Sequence, residues 1–117
     1  MSLKHALAYA SLGWPVFPVY EPRADGTCTC LRGADCKRPG KHPRNLHGHR
    51  AASNDPERLR HWWSLWPDAN IGLDTSAVLV VDVDGDAGAR SLAALVRQHG
   101  PPPRTVEAAT GRGRHLY

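Results

Sequence analysis

The sequence lacks any long apolar run and has few cysteines. Its first 20 residues are interrupted by Gly13 and Pro15, so they predict neither a signal peptide nor a membrane-spanning helix. We therefore expect a cytoplasmic protein that has no membrane partner. The three cysteines are an odd number in a chain without an export signal, which favours metal binding or free thiols over a disulfide framework. Internal repeats and low-complexity tracts are also absent.

Length and charge limit what the chain can be. With 117 residues, 41% of them hydrophobic, residues 1–117 can form one domain with a single modest core. The formal net charge is +4, and much of the excess lies in one segment. From Arg32 to Arg50 the sequence contains six lysines and arginines and one aspartate. Such a segment suits the binding of a polyanion, and it equally suits a solvated basic loop.

Helix and strand signals predict the order helix, strand, irregular basic loop, helix, strand, strand, helix, strand, strand. Apolar spacing predicts a first helix that ends at Gly13. Residues 14–20 predict a short strand, and their prolines indicate that it lies at the edge of its sheet. Asp55 followed by Pro56 predicts the start of the second helix, since both residues are favoured there. The tryptophans of this helix repeat at a spacing that indicates a core-facing side rather than a base-stacking platform: Trp62, Trp63 and Trp66.

The second half of the chain predicts a buried strand and a third helix. The apolar run AVLVVDVD, residues 77–84, is typical of a strand covered on both faces. The helix that follows is expected to end at Gly100 and to direct one set of apolar side chains inward: Ala89, Leu92, Leu95 and Val96. Two further strands are predicted on either side of the turn GRG, residues 111–113.

Two aspartates end the apolar run. Asp82 and Asp84 are separated by one residue, so on an extended strand both carboxylates point to the same face. Neighbouring carboxylates repel one another, which favours a cation between them, and oxygen ligands of this kind suit Mg²⁺ or Mn²⁺. The alternative is a polar strand end at which Asp82, Asp84 and Asp86 only form a turn.

Two other motifs share these letters. An EF-hand calcium loop that begins at Asp82 requires Gly at its sixth position and Glu at its twelfth, where this sequence has Ala87 and Ala93. A phosphatase of the haloacid dehalogenase kind continues its Asp-x-Asp with Gly-Thr, whereas Asp86 follows Gly85 here. Neither motif therefore explains the pair.

Residues 25–50, which we call the Cys/His loop, have no periodic apolar pattern and must be held by something other than a core. Four of its residues are ligand types that Zn²⁺ prefers, enough for a closed tetrahedral site: Cys28, Cys30, Cys36 and His42. His47 and His49 could compete for the fourth place. The alternative is three free thiols in a mobile loop.

The final stretch TGRGRHLY, residues 110–117, predicts a glycine-rich turn between strands. Backbone N–H groups of such a turn can approach a phosphate, and Arg112, Arg114 and His115 add charge and hydrogen-bond donors. This pattern alone is unspecific, because many hairpins contain glycine and arginine.

Taken in their order, these segments resemble the N-terminal catalytic domain of the bifunctional DNA primase/polymerase family, part of the archaeo-eukaryotic primase superfamily. The resemblance covers nearly the whole chain: ALAYASLGWPVFPVY, the Cys/His loop with its GKHP, DPERLRHWWSLWPDANIGL, LVVDVDG and TGRGRHLY. It implies an α+β fold, in which an RRM-like antiparallel sheet with packed helices is joined by an additional α/β unit. It also implies that this domain is incomplete at the C-terminus.

The resemblance implies roles for individual residues. Asp82 and Asp84 match the Asp-x-Asp/Glu motif that holds Mg²⁺ or Mn²⁺ for nucleotidyl transfer. His115 matches the histidine that contacts the phosphates of the incoming nucleotide, and it joins the two aspartates as a catalytic residue. Lys41 falls in a Lys-x-Pro element, so the expected nucleotide-binding residues are Lys41, Arg112, Arg114 and His115. The three cysteines with His42 resemble the zinc-binding insertion of some members.

The implied activity is metal-dependent nucleotidyl transfer that synthesises or extends primers in DNA replication. Its expected partners are a single-stranded or primed DNA template, NTPs or dNTPs and, where one is present, a helicase fused or associated downstream. The family's third carboxylate lies downstream of the histidine, and the sequence stops at Tyr117, so we expect these 117 residues alone to be weakly active or inactive. The alternative is a small zinc-stabilised nucleic-acid-binding domain without catalysis.

Overall fold

Within residues 2–117, which the computed structural model describes, three α-helices and five β-strands follow one another in the predicted order. The strands form two small antiparallel sheets, so the predicted α+β class is confirmed. The chain divides into two compact units. We call the part that ends at Asp74 the first unit and the part that begins at Thr75 the second unit. None of the helices described combines the length and apolar character needed to cross a bilayer.

The first unit pairs two helices with a two-stranded sheet. Its regular elements are α1 (Ser2–Ser11), β1 (Val16–Val19), α2 (Pro56–Leu65) and β2 (Asn70–Leu73). The strands β1 and β2 are antiparallel, with Val16 opposite Leu73. The segment between β1 and α2, which includes the Cys/His loop, contains two short 3₁₀ helices, Gly33–Asp35 and Gly48–Ala51.

Helix α2 begins and packs as its sequence predicts. Asp55 is the N-cap residue, and its side chain accepts a hydrogen bond of 3.1 Å from the backbone N–H of Glu57. Leu59 and Trp63 are buried, and the Trp63 indole N–H donates to the carbonyl of Ala69 at 3.1 Å. Further buried residues complete this core: Ala6, Ala10 and Val16. The prediction that the tryptophan side of α2 faces the core is therefore confirmed.

The Cys/His loop covers the outer edge of β1. The Pro18 carbonyl accepts from the backbone N–H of Arg44 in the loop at 2.9 Å, and Val16 exchanges two backbone hydrogen bonds of 2.9 Å with Ser53, three residues beyond the loop. Pro18 has no N–H to donate, but the loop uses only its carbonyl. The predicted position of this proline-containing strand at the edge of its sheet is thus confirmed, and the loop protects that edge.

Arg44 holds the loop to the rest of the first unit through its charged side chain. Its guanidinium donates to both carboxylate oxygens of Glu21, at 2.8 Å and 2.7 Å, and lies over the rings of Tyr20 and Trp66. Both partners are about four-fifths buried, with 20% and 19% of their side chains exposed. Burial opposes ionisation of Glu21, but the hydrogen bonds and charge of Arg44 outweigh it and lower the pKa of Glu21 below its ordinary 4.5.

The second unit is a three-stranded antiparallel sheet with one helix. Its elements are β3 (Val81–Asp84), α3 (Gly85–His99), β4 (Glu107–Ala109) and β5 (Gly113–Leu116). The strand order is β3-β5-β4, and α3 packs against β3. This βαββ arrangement is the first part of the βαββαβ fold, as the implied RRM-like sheet requires. The predicted hairpin around residues 111–113 is confirmed.

Two predictions for the second unit are wrong. The run 77–84 is not a strand covered on both faces, because β3 begins at Val81 and 81% of Leu79 is exposed. Helix α3 does not bury all of its apolar side chains, since Leu95 and Ala89 are exposed while Leu92 and Val96 are half-buried. The reason is that, within the described residues, one helix packs on one face of this small sheet, which leaves the rest of the apolar surface without a partner.

Replacement of Leu59 by alanine tests the core of the first unit. Leu59 is fully buried whereas 54% of Leu65, on the same helix, is exposed. We expect Leu59→Ala to lower the free energy of unfolding by about 2–5 kcal/mol, because it removes buried methyl groups and leaves a cavity. Leu65→Ala serves as the matched control and should change that free energy by less than about 1 kcal/mol in urea unfolding.

The Glu21–Arg44 pair predicts a pH-dependent stability. Because the pKa of Glu21 is lowered in the folded state, the pair stabilises the fold fully above pH 4.5 and loses this contribution as the pH falls through the lowered pKa. Glu21→Gln should therefore cost about 1–3 kcal/mol at pH 7, and its stability should converge on that of the unchanged protein in acid. The exposed Asp68→Asn is the control. A constant difference between Glu21→Gln and the parent across this pH range would contradict the assignment.

Candidate functional site

One face of the second sheet carries the two predicted aspartates and the predicted histidine. Strands β3 and β5 place Asp82 opposite His115 and Val83 opposite Arg114. Because side chains alternate along a strand, Asp82, Asp84 and His115 share one face, and Val83 points to the other face, where α3 packs. The Nε2 atom of His115 lies 3.3 Å from Oδ1 of Asp82. We call this side of the sheet the carboxylate face.

The local backbone keeps the Asp84 carboxylate available. Asp84 is the N-cap residue of α3, yet its side chain makes no capping hydrogen bond. Gly85 follows with a φ of 62°, a left-handed conformation that favours glycine, and its N–H donates to the carbonyl of Arg112 at 2.8 Å. The turn therefore fixes the end of β3 without using the carboxylate.

Gly113 sets the close approach of β5 to β3. It lies opposite Asp84, and a Cβ atom at this position would overlap the backbone carbonyl of Val83. Any other residue would force the strands apart at this point. The spacing of the carboxylate face therefore depends on glycine here.

The two arginines of the hairpin lie in different environments. Arg112 is in the turn, 84% exposed, with its Nη2 atom 3.9 Å from Oδ2 of Asp84. Arg114 lies opposite Val83 on the side of the sheet where α3 packs, and its Nη1 atom is 3.2 Å from Oε2 of Glu107. The structure thus brings Arg112 to the carboxylate face and places Arg114 on the other side.

Tyr117 is a neighbour of the site that the sequence did not indicate. Its hydroxyl lies 3.4 Å from Nδ1 of His115, and the two rings meet edge to face with centroids 6.1 Å apart. The contact fixes the second nitrogen of His115, whose first nitrogen faces Asp82. The alternation of side chains along the predicted strand could have found it, because Tyr117 follows His115 by two residues.

Two carboxylates on an open face suit Mg²⁺ or Mn²⁺ when other oxygens complete the coordination of the ion. Mg²⁺ often takes one or two protein carboxylates and completes its shell with water and substrate phosphates. Within residues 2–117, Asp82, Asp84 and His115 are not among the groups of three or more side chains whose ligand atoms converge enough to hold a metal ion. The ion would therefore depend on substrate oxygens for the rest of its coordination.

The Cys/His loop brings together the four predicted zinc ligands. The ligand atoms of Cys28, Cys30, Cys36 and His42 all lie within 4.8 Å of one another. His42 Nε2 is 3.3 Å from Cys28 Sγ and 3.5 Å from Cys36 Sγ. A tetrahedral zinc ion, with Zn–S about 2.3 Å and Zn–N about 2.0 Å, separates its ligand atoms by roughly 3.5–3.8 Å. The two distances from His42 are close to this range, and side-chain shifts of about 1 Å would bring a pair as wide as 4.8 Å into it, so the group fits zinc.

His42 is attached to Tyr20, the residue that follows β1. Its carbonyl accepts from the backbone N–H of Tyr20 at 3.0 Å, and its ring lies 4.7 Å from the Tyr20 ring. His47 and His49, which could have competed for the fourth place, are outside the group of ligand atoms. We call Cys28, Cys30, Cys36 and His42 the Cys₃His group.

The thiols of this group differ in how readily they ionise. Burial opposes ionisation of Cys28, but hydrogen bonds from the Cys30 backbone and from His42 outweigh it and lower the pKa of Cys28 to about 6. At Cys36 a hydrogen bond from the Arg38 backbone favours the thiolate, but burial and the Cys28 and Cys30 thiols outweigh it and raise the pKa. One thiolate thus forms easily, whereas further thiolates at such short range need a cation.

Lys41 precedes His42 on the exposed side of the same loop. Its backbone N–H donates to the carbonyl of Arg38 at 3.1 Å, and its side chain is exposed. This residue belongs to the first unit, whereas the carboxylate face belongs to the second. Its predicted contact with nucleotide phosphates stays a prediction.

Comparison with known proteins adds a family to this geometry. No curated protein and no solved structure matches the chain. Residues 6–117 match the family described as bifunctional DNA primase/polymerase, N-terminal. The match includes the Cys/His loop, both aspartates of the carboxylate face and His115. The chain therefore belongs to the bifunctional DNA primase/polymerase N-terminal family.

Proposed function

We propose that the chain carries the divalent-ion and nucleotide site of a DNA primase/polymerase that makes or extends primers. The observation that supports this most is the open carboxylate face, on which Asp82 and Asp84 lie side by side with His115 opposite, in a chain of this family. The template would be single-stranded or primed DNA, and the second substrate an NTP or dNTP. The helicase partner and the cytoplasmic location stay predictions.

The side chains of the carboxylate face suit nucleotidyl transfer. In this reaction a 3′-hydroxyl attacks the α-phosphate of a nucleotide and pyrophosphate leaves. Asp82 and Asp84 would hold Mg²⁺ or Mn²⁺, which when bound stabilises the negative charge that develops on the phosphates. His115 would turn its Nε2 atom from Asp82 to a phosphate oxygen, and the exposed Arg112 could add a second donor from the turn.

A second role, structural binding of zinc, is supported by the Cys₃His group. Zinc would neutralise the thiolates and fix a loop that contributes few residues to the hydrophobic core. The same group also favours the alternative function, a zinc-stabilised domain that binds nucleic acid without catalysis. The two functions differ in what they require of the carboxylate face, because catalysis needs both carboxylates and binding alone does not.

Removal of the two carboxylates tests catalysis. We expect the double variant Asp82→Asn with Asp84→Asn to reduce primer synthesis by the full gene product at least about a hundredfold, since several kcal/mol of metal-dependent stabilisation are lost. The 117-residue chain should also lose its binding of Mn²⁺, measured by electron paramagnetic resonance. Asp86→Asn, in the first turn of α3, is the matched control and should retain both. Unchanged synthesis by the double variant would assign the pair a structural role.

Elemental analysis tests the zinc site. We expect one zinc ion per chain, and Cys36→Ser should lose it together with the thermal stability of the first unit, because the ligand set falls to three. His49→Asn is the matched control, since His49 lies in the same loop but outside the group, and it should retain the ion. A fully folded parent protein that purifies without metal and takes up no zinc would remove this site.

A further inference from the structure

A cavity of about 430 Å³ lies beside the Cys₃His group, in the first unit. Its size is in the range of small-ligand pockets. Five side chains line it apart from the metal ligands: Tyr20, Leu31, Arg32, Lys37 and Arg38. We call it the basic cavity. None of these residues belongs to the carboxylate face, so the basic cavity is a separate site.

The charge of the basic cavity is positive and unneutralised. Arg32, Lys37 and Arg38 line it, and no carboxylate does. Among the residues that the structure describes, none of these three makes an ion pair, whereas Arg44 in the same loop is paired with Glu21. With zinc bound, three thiolates against one divalent ion leave a single negative charge, so the cations still exceed it. A concave surface with this excess attracts an anion.

Its apolar residues indicate which anion. Leu31, between Cys30 and Arg32, is fully exposed, and Tyr20 adds an aromatic ring to the wall. A site for inorganic phosphate alone has no use for such surface, whereas a nucleobase contacts it favourably. The three cations are exposed rather than enclosed, which suits the backbone of a strand that passes over the cavity better than a buried mononucleotide.

We propose that the basic cavity binds a single strand of nucleic acid, with its phosphates on Arg32, Lys37 and Arg38 and a base against Leu31. The inference rests on the proposed function, because it takes this strand to be the template. It adds where the strand binds and that this binding depends on the bound metal. Cys30, Cys36 and His42 belong to the Cys₃His group and also line the cavity, so a bound ion would fix the cavity wall.

Fluorescence anisotropy with a labelled oligothymidylate tests the site. A length of about 12 nucleotides is chosen because it lies in the size range of single-strand binding sites. The zinc-loaded chain is used without magnesium. We expect the triple variant R32Q/K37Q/R38Q to bind at least about tenfold more weakly at 0.1 M salt. The slope of log K against log salt should fall by about 2, from three lost contacts of about 0.7 each.

The matched control removes the same charge from exposed positions elsewhere, in the triple variant K4Q/R60Q/R90Q. It should bind within about twofold of the parent. Equal weakening of the two triple variants would overturn the inference, because net charge alone would then explain binding. Displacement of the oligonucleotide by stoichiometric ATP would also overturn it and assign the cavity to a mononucleotide.

Leu31→Ala should weaken binding with an unchanged salt slope, and an unchanged affinity would remove the base contact.

Two further measurements separate this inference from the proposed function. The Asp82→Asn and Asp84→Asn double variant should bind the oligonucleotide as the parent does, and loss of binding there would contradict a separate site. If the full gene product made no primers while R32Q/K37Q/R38Q still lost binding selectively, catalysis would fail and the inference would stand. Removal of zinc should reduce binding to the level of this triple variant, and full binding by folded, zinc-free protein would overturn the metal dependence.

Discussion

The ion pair between Arg44 and Glu21 holds together the part of the first unit that has little core of its own. One guanidinium nitrogen, Nη1, donates to both carboxylate oxygens in a place largely shielded from water, and the aromatic rings of Tyr20 and Trp66 lie beside the guanidinium. The backbone of Arg44 also bonds to β1. One residue thus connects the loop, the strand and the end of α2. Because Tyr20 contacts the ring of His42 as well, the position of the Cys₃His group follows from the same pair.

Local signals in the sequence predicted what depends on local physics. Asp55 and Pro56 start α2 because capping and a fixed φ act within one turn, and strand alternation placed Asp82 beside Asp84. The Arg44–Glu21 pair joins residues 23 positions apart, and no periodic pattern in the sequence predicts such a contact. The same holds for the choice of His42 over His47, because the backbone bond of His42 joins it to Tyr20, 22 positions earlier in the chain.

Burial was predicted less well than element type, and the second unit shows why. An apolar run such as 77–84 shows that a strand is possible, but it does not say how many layers will cover that strand. With one helix packed on its sheet, this unit buries Val83 and Leu116 and leaves Leu79 and Leu95 exposed. The face of the carboxylates could be derived from the sequence and the family resemblance implied a role for His115, whereas its position opposite Asp82 came from the pairing of β3 with β5.

The unused capping capacity of Asp84 has a consequence for how this position can change. A side chain at this place that turned to the first turn of α3 would cap the helix and add about 1 kcal/mol of helix stability, and serine and asparagine are as favourable there as aspartate. Either of these two replacements would also remove a carboxylate from the open face. A search for more thermostable variants would therefore select against the proposed chemistry at this residue, and tolerance of such changes in a library would report whether stability or activity had been selected.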